Sequence, residues 1–320
     1  MYSDFAVARS RLNILKTWLK LAQGTGLVHG ECFVIGTPSM RARHSVIVNI
    51  PSAESAWGKE MRELFITEPD WALVGCDSKG NQARGLAHFL GDQTFIDTLI
   101  NGDIHTFNAN LLDNILKKMG ISWDNYLLSI GIKADEKHTL EENLASRKRA
   151  AAKRILYAFL FGGSGAKLWS YIFGVLDKVK GNKLKKGFIN AVPGFTVLLE
   201  KLDKVFGKTS QYGDGYIYSI VGTRIYVDSF HKLLVYLLQA TEKATTSAAI
   251  MLLIKRLREA NIPFRPKIYM HDEVQFTTPI EFAEKAAEIG RQAFADGPKL
   301  MGVQIMGGSS KIGKNWHETH

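Results

Sequence analysis

Apolar residues recur at helical spacing near the start of the chain. Leu12, Leu15, Trp18 and Leu19 alternate with Arg9, Arg11, Lys16 and Lys20, which predicts an amphipathic helix over residues 3–22. Glycines at 24, 26, 30 and 36 break the pattern, and an extended stretch, HGECFVIG, follows. MRARHSVIVNIP, residues 40–51, reads as a basic extended segment closed by Pro51. WALVGC, residues 71–76, has the uninterrupted apolar character of a buried strand and delivers Asp77 at its end. A helix then begins, with Leu86, Phe89 and Leu90 as its inner face. Residues 106–215 read as almost entirely helical, and YIYSIVGTRIYV as a hairpin turning near Val221, Gly222 and Thr223. A long helix over 231–259 leads into IYMHDEVQF, a strand, tight turn and strand with His271, Asp272 and Glu273 at the bend. A helix rich in Ala and Glu and a closing strand, GVQIM, complete the pattern. Strands, a helical insertion and strands again imply one mixed α/β layer built from two distant segments, with a helical subdomain between them.

Bulk properties narrow the class. With 320 residues, 46% of them hydrophobic, the chain has the composition of a folded protein of one large domain or two to three smaller ones. The longest purely apolar run, AAIMLLI at 248–254, is far too short to span a bilayer, and the charge-dotted N-terminus is no secretory signal. Cys32 and Cys76 form no zinc or disulfide pattern, which fits a reducing cytoplasmic setting. Forty-one Lys and Arg against 31 Asp and Glu leave a net charge of +10, which favours polyanions: nucleic acid first, anionic membrane or ribosomal surfaces second.

Three clusters carry candidate chemistry. Two adjacent carboxylates, Asp272 and Glu273, stand at a hairpin bend, and at ~4 Å and an effective dielectric of ~20 two such charges repel by about 4 kcal/mol unless something neutralises them. Asp77, at the end of an apolar strand, is a second carboxylate from a distant segment, and such pairs assemble two-Mg²⁺ sites. The plain alternatives are a solvated turn and a helix cap. In the helix of residues 145–163, Arg149, Lys153 and Tyr157 fall at i, i+4 and i+8 and share one face with about 40° of drift per step, while Ile155, Leu156, Phe159 and Leu160 form the opposite, buried face. A line of Arg, Lys and an aromatic can grip a triphosphate and stack a base; the alternative is a basic helix lying on an acidic surface. In NGDIHTFN, His105 could add a donor to a phosphate.

In this order these stretches resemble the family A DNA polymerases, the bacterial DNA polymerase I superfamily and above all its phage replicative branch, from about residue 20 to the C-terminus. The resemblance implies an α+β right-hand polymerase fold with an antiparallel palm sheet, helical fingers and a truncated thumb. It implies a thumb remnant and template-primer segment over 1–50, palm over 51–105 and 225–320, and fingers over 106–224. VGCDSKGNQARGLAHFLGD looks like the A motif, with Asp77 as a metal ligand and Gln82 at the position that screens the sugar. Arg149, Lys153 and Tyr157 match the B motif, and the His271-Asp272-Glu273 hairpin the C motif, with Asp272 the second metal ligand and Glu273 beside the primer terminus. His105 and Phe161 are implied on the nucleotide, and Arg41, Gln239 and His271 on DNA. The implied activity is transfer of nucleotides from dNTPs to a primer 3′-hydroxyl with two Mg²⁺, for which Mn²⁺ can substitute, in a bacterial host cytoplasm if phage-encoded, with no membrane involved. GKNWHETH resembles the family's C-terminal tail, which implies completeness at that end.

Departures are informative. Gln82 stands where the family usually has glutamate, Ala158 where it has glycine, and Val235 where it has asparagine. Only about 50 residues precede the palm. A split enzyme is therefore expected, with exonuclease and thumb on another polypeptide docking on the exposed apolar face of residues 12–19; the alternative is a minimal polymerase of low processivity. The rival readings are a non-catalytic DNA-binding subunit that keeps the fold, and a single-subunit RNA polymerase.

Overall fold

The computed structural model describes residues 2–192, 194–211 and 213–320. The N-terminal periodicity is realised as a helix, α1 (Tyr2–Ala22). Its inner side runs through Ile14, Leu15 and Trp18, so Leu12 and Leu19 lie outward, 49% and 70% exposed. Trp18 sets this rotation: its ring meets Phe65 edge-on at 4.9 Å, and Phe65 in turn meets Trp316 at 5.6 Å. The two extended stretches expected over 29–36 and 40–51 shrink to the two-residue antiparallel strands β1 (Cys32–Phe33) and β2 (Arg43–His44). Left-handed backbone at Met40 (φ 65°) and Val46 (φ 64°) bends the chain on either side of β2 and ends the extension. A short helix, α2 (Gly58–Glu63), precedes the buried strand β3 (Trp71–Ser78).

The helical middle comprises α3 (Asn81–Leu90), α4 (Gln93–Asn101), α5 (Ile104–Lys118), α6 (Trp123–Ser129), α7 (Leu140–Leu160), α8 (Gly165–Phe173), α9 (Lys178–Ala191) and α10 (Phe195–Ser210). The hairpin β4 (Tyr216–Tyr218) and β5 (Arg224–Tyr226) follows, as its sequence predicts. In α3 the buried apolar side chains are Ala83, Leu86 and Ala87, one face of a 3.6-residue turn; Phe89 and Leu90 are only half-buried. Beyond it come α11 (Leu233–Glu259), β6 (Arg265–Met270), β7 (Glu273–Pro279), α12 (Ala283–Asp296) and β8 (Gly308–Gly313).

The expected closing strand GVQIM is a loop. Gly302 (φ 80°) ends a 3₁₀ turn, Gly297–Met301, and Val303 and Met306 both point into the core. The edge strand is instead β8, a polar segment whose backbone pairs with β3. Its first residue must be glycine, because a Cβ at Gly308 would collide with the Arg291 carbonyl of α12.

The chain divides into two compact units. Met1–Asn81, Ile220–Thr223 and Gln239–His320 form the first, and Gln82–Ser219 with Arg224–Leu238 the second. The first unit holds a four-stranded antiparallel sheet in the order β6-β7-β3-β8. One side of the sheet packs Val74, Cys76, Val274 and Phe276 against Leu253, Leu257, Ala286, Ala287 and Phe294 from α11 and α12. Burying each large apolar side chain is worth about 1.5–3 kcal/mol, so these acid-bearing strands rest on a firm base. In the second unit α5, α7, α8 and α9 pack together over Leu112, Leu116, Ile155, Leu156, Phe159 and Phe188. A capping box, Thr139 with Glu142, starts α7 and holds its first turn.

Candidate active site

The first cluster sits at one end of the sheet. Asp77, the seventh residue of β3, stands in register with Glu273, the first residue of β7. The β6–β7 connection is the two residues His271 and Asp272, with Met270 paired to Glu273. Such a turn needs a positive φ, and His271 supplies it at 58°. The Ser78 amide donates to the Asp272 carbonyl at 3.2 Å, tying the turn to β3. Three carboxylates thus come from two adjacent strands and the turn that leads into one of them, although the sequence separates Asp77 from the other two by the whole helical middle.

Their electrostatics differ. Burial, then the charges of Glu242 and Asp77, push the Asp272 carboxyl up to about 7. Desolvation and the Glu273 charge also raise Asp77, whose carboxylate accepts a hydrogen bond from Ser309 of β8. Glu273 goes the other way. Burial alone would raise it, but hydrogen bonds from His320, Gln275 and Trp316 outweigh that and hold it below its ordinary value. Gln275 Nε2 reaches Glu273 Oε1 at 2.6 Å, Trp316 Nε1 the same oxygen at 2.8 Å, and His320 Nδ1 lies 2.9 Å from Oε2. Lys311 of β8 donates to the His320 carbonyl at 2.6 Å, and Thr319 donates to Gln275 at 2.8 Å. Glu273 therefore spends its oxygens on the protein, whereas Asp77 and Asp272 are crowded acids that a cation would relieve.

Asp77 does not cap α3, which begins four residues later; its carboxylate turns to β8. His271 is held well below the usual histidine range, at about 4, by burial and by the charges of Arg41 and His44. Its ring meets that of His44 edge-on at 5.7 Å. Arg41 is ion-paired with Glu242 of α11 at 2.6 Å, and Gln239 is half-buried on the same helix. Among the described residues no three His, Cys, Asp or Glu side chains converge as a ready-made metal cage. Two carboxylates of raised basicity still fit Mg²⁺, which characteristically takes one or two carboxylates and completes its shell with water and substrate phosphate.

The second cluster lies in the helical unit. Asp103 caps α5 through the His105 amide at 3.0 Å and places that imidazole at the helix start. The same carboxylate receives Arg149 of α7 in a two-pronged contact, Nε at 2.6 Å and Nη2 at 3.3 Å, which holds its pKa far below the ordinary value. His105 is lowered by burial, then by Arg149, with Lys153 adding to the effect, and its ring lies 6.1 Å from that of Tyr157. The expected face of α7 is therefore assembled: Arg149 and Lys153 are exposed and Tyr157 is half-buried, with Ile155, Leu156, Phe159 and Leu160 buried opposite. Phe161 follows the end of α7 and is 50% exposed, while Gln82 is buried in the first turn of α3.

Sequence reasoning missed Asp103 and Glu242, the acidic partners of two arginines it singled out. Asp103 had a visible signal as a cap in the quoted stretch NGDIHTFN, and Glu242 as an acid interrupting the apolar run of α11. Neither signal names an arginine. Trp316 and His320 were visible only as part of the tail motif.

The chain is 25% identical over 335 residues to a DNA-directed DNA polymerase of Enterobacteria phage T3, and 24% over 338 residues to one of Escherichia phage T7. Each alignment takes in 95% of this chain and 43% of the relative, so the chain spans less than half the length of these phage proteins. DNA polymerase I of Chloroflexus aurantiacus is 22% identical across 92% of this chain and 29% of its own length. The solved structure of the POL domain of Pol1 from M. smegmatis, in complex with DNA primer-template and dNTP, matches with a TM-score of 0.73 and 16% identity over 97% of this chain and 52% of that one. No family model matches. The fold is thus that of a polymerase domain, and no described helix is long and apolar enough to cross a membrane.

Proposed function

We propose that this chain, whose homologues along 92–95% of its length are phage and bacterial DNA polymerases, is itself a template-directed DNA polymerase that extends a primer 3′-hydroxyl from dNTPs in a bacterial cytoplasm. The observation that carries the reading is the register of Asp77 opposite Glu273, with Asp272 in the adjoining turn. Asp77 and Asp272 would hold two Mg²⁺, which supply activation of the primer hydroxyl and neutralisation of the leaving pyrophosphate. Glu273, already saturated with hydrogen bonds, fixes the hairpin on which Asp272 rides. Arg149, Lys153 and His105 bind the triphosphate, Tyr157 and Phe161 lie along the nucleotide, and Gln82 screens its sugar. Arg41, Gln239 and His271 contact the primer-template. In domain terms the sheet-bearing unit is the palm and the helical unit the fingers.

The finer reading keeps exonuclease and thumb functions on a separate polypeptide, which would dock on the outward Phe5, Leu12 and Leu19 of α1. Gel filtration with that polypeptide should give a complex whose formation Leu12→Asp with Leu19→Asp abolishes; no complex with the unaltered chain counts against it.

Primer extension on a defined template with Mg²⁺ tests the central claim. Asp77→Asn and Asp272→Asn should each lower extension by about 10²–10³-fold or more, the scale of losing one charge-stabilising group, while duplex binding is retained. Extension surviving both substitutions would overturn it.

A further inference from the structure

The surroundings of the catalytic hairpin hold more unsatisfied polarity than a closed site tolerates. Arg41 Nε, His44 Nε2 and His271 Nδ1 are all buried without a hydrogen-bond partner. Buried groups without hydrogen bonds are costly, so three around one hairpin mark polarity that a polar ligand would satisfy. Arg41 is deliberately placed there. The left-handed Met40 turns the chain immediately before it, and its carbonyl accepts from both the Gly36 amide at 3.2 Å and the Thr37 hydroxyl at 3.1 Å. Its guanidinium, though, is already occupied. Nη2 lies 2.6 Å from the Glu242 carboxylate, which is 2% exposed on the buried side of α11. Glu242 also acts on Asp272 more strongly than Asp77 does, so it adds repulsion to the acids while supplying Arg41 with a partner. A carboxylate that worsens the acidic crowding and takes up an arginine beside unsatisfied donors resembles a ligand surrogate more than a structural pair.

We propose that Glu242 is an internal stand-in for nucleic acid: without DNA its carboxylate occupies the Arg41 guanidinium, and the primer end binds by taking Arg41 from it. This rests on the reading of the chain as a DNA polymerase whose Arg41 contacts the duplex. Glu242 is thus a positioning residue that sets duplex affinity through Arg41. The exchange also restores partners to the orphaned nitrogens, since base and sugar edges of a primer end present acceptors and donors at once.

Fluorescence anisotropy of a labelled primer-template in EDTA tests this with the full chain. Glu242→Gln keeps an amide in place of the acid and should bind the duplex about tenfold more tightly, the worth of about 1.4 kcal/mol of released competition. The salt dependence of binding should also steepen, because one more arginine charge is free to displace the counterions around the duplex. Glu242→Asp, with the charge kept but withdrawn by one methylene, should tighten less. In an Arg41→Ala background neither substitution should have any effect. If Arg41→Ala weakens binding while Glu242→Gln and Glu242→Asp leave it unchanged or weaker, the exchange is overturned and Arg41 remains a DNA contact. If Arg41→Ala binds like the unaltered chain, the assignment of Arg41 to DNA falls, and the exchange with it.

Discussion

Trp316 donates its indole N–H to Glu273 across 2.8 Å, and both side chains are shut away from solvent. The indole also sits in the cluster of Trp18, Met61 and Leu73, so the C-terminal segment fastens the acidic hairpin to the sheet's second core. Trp316→Phe keeps most of that packing and removes the donor. It should cost about 1.5–3 kcal/mol, the range for a hydrogen bond to a charged group, and lower kcat for extension with little change in the KM for dNTP. Trp316→Ala adds a cavity and should cost about 3–5 kcal/mol. Urea unfolding and steady-state extension read the two effects separately; a KM change with constant kcat would contradict the role given to Glu273.

Asp272 gives the fold a measurable pH signature. Its carboxyl is raised from an ordinary value near 4 to about 7, so the folded chain retains a proton that the unfolded chain loses. Stability tied to this group is therefore fully present below about pH 4 and is lost as pH rises towards 7. In EDTA, Asp272→Asn should melt roughly 2–4 °C higher than the unaltered chain at pH 7.5, with the difference closing near pH 4. A variant that melts lower at pH 7.5 would show that the acid is not under repulsion.

His271 carries the opposite sign. Depressed to about 4, it contributes stability above the ordinary histidine range that is lost as pH falls through that lower value. Its ring proton resonances should show a titration midpoint near 4, whereas an ordinary solvated histidine titrates near 6.5. A midpoint above 6 would mean that the ring lies in water.

Asp103 engages both arms of the Arg149 guanidinium, although the pair is largely solvent-accessible. A triphosphate that binds Arg149 has to displace that carboxylate. Asp103→Asn preserves the cap on α5, changes stability by less than about 1 kcal/mol, and should lower the KM for dNTP about two- to fivefold, the range of a weak ion pair, with kcat held. A raised KM would instead make Asp103 the residue that orients Arg149.

Phe161, half-exposed just beyond α7, offers a bare ring where a tyrosine would offer a hydroxyl. Phe161→Tyr should improve incorporation of dideoxynucleotides relative to deoxynucleotides, because the phenol can replace the missing sugar 3′-hydroxyl. Chain-termination ratios measured for both forms would expose an error here.

What the sequence revealed and what it hid divide along physical lines. β3 and the face of α7 were legible because each is a local pattern: an unbroken apolar run, and ionic side chains spaced to share one helical face. β8 was hidden because Ser309, Ser310 and Lys311 form a strand only by pairing with β3, while the more apolar GVQIM nearby serves to fill the core. The apolar face expected to lie exposed over residues 12–19 divides for a similar reason: four apolar residues describe a stripe, but one indole, Trp18, decides which part of it turns inward, leaving Leu12 and Leu19 outside. The acid partners of Arg41 and Arg149 could not be found by spacing, since Asp103 meets Arg149 across 46 residues of chain. Candidate side chains could be picked out by residue type and spacing, but their ion pairs depended on the tertiary fold.

Because Asp77 and Glu273 are neighbours only across the β3–β7 ladder, nearly the whole chain must be made before they meet. Closing a loop of that length costs roughly 5 kcal/mol of chain entropy, repaid only when the central strands zip together. A nascent chain lacking β7 therefore carries one acid and no partner for it. The helical insertion can mature on the ribosome first, leaving the acid-bearing end of the sheet as the last part to be assembled.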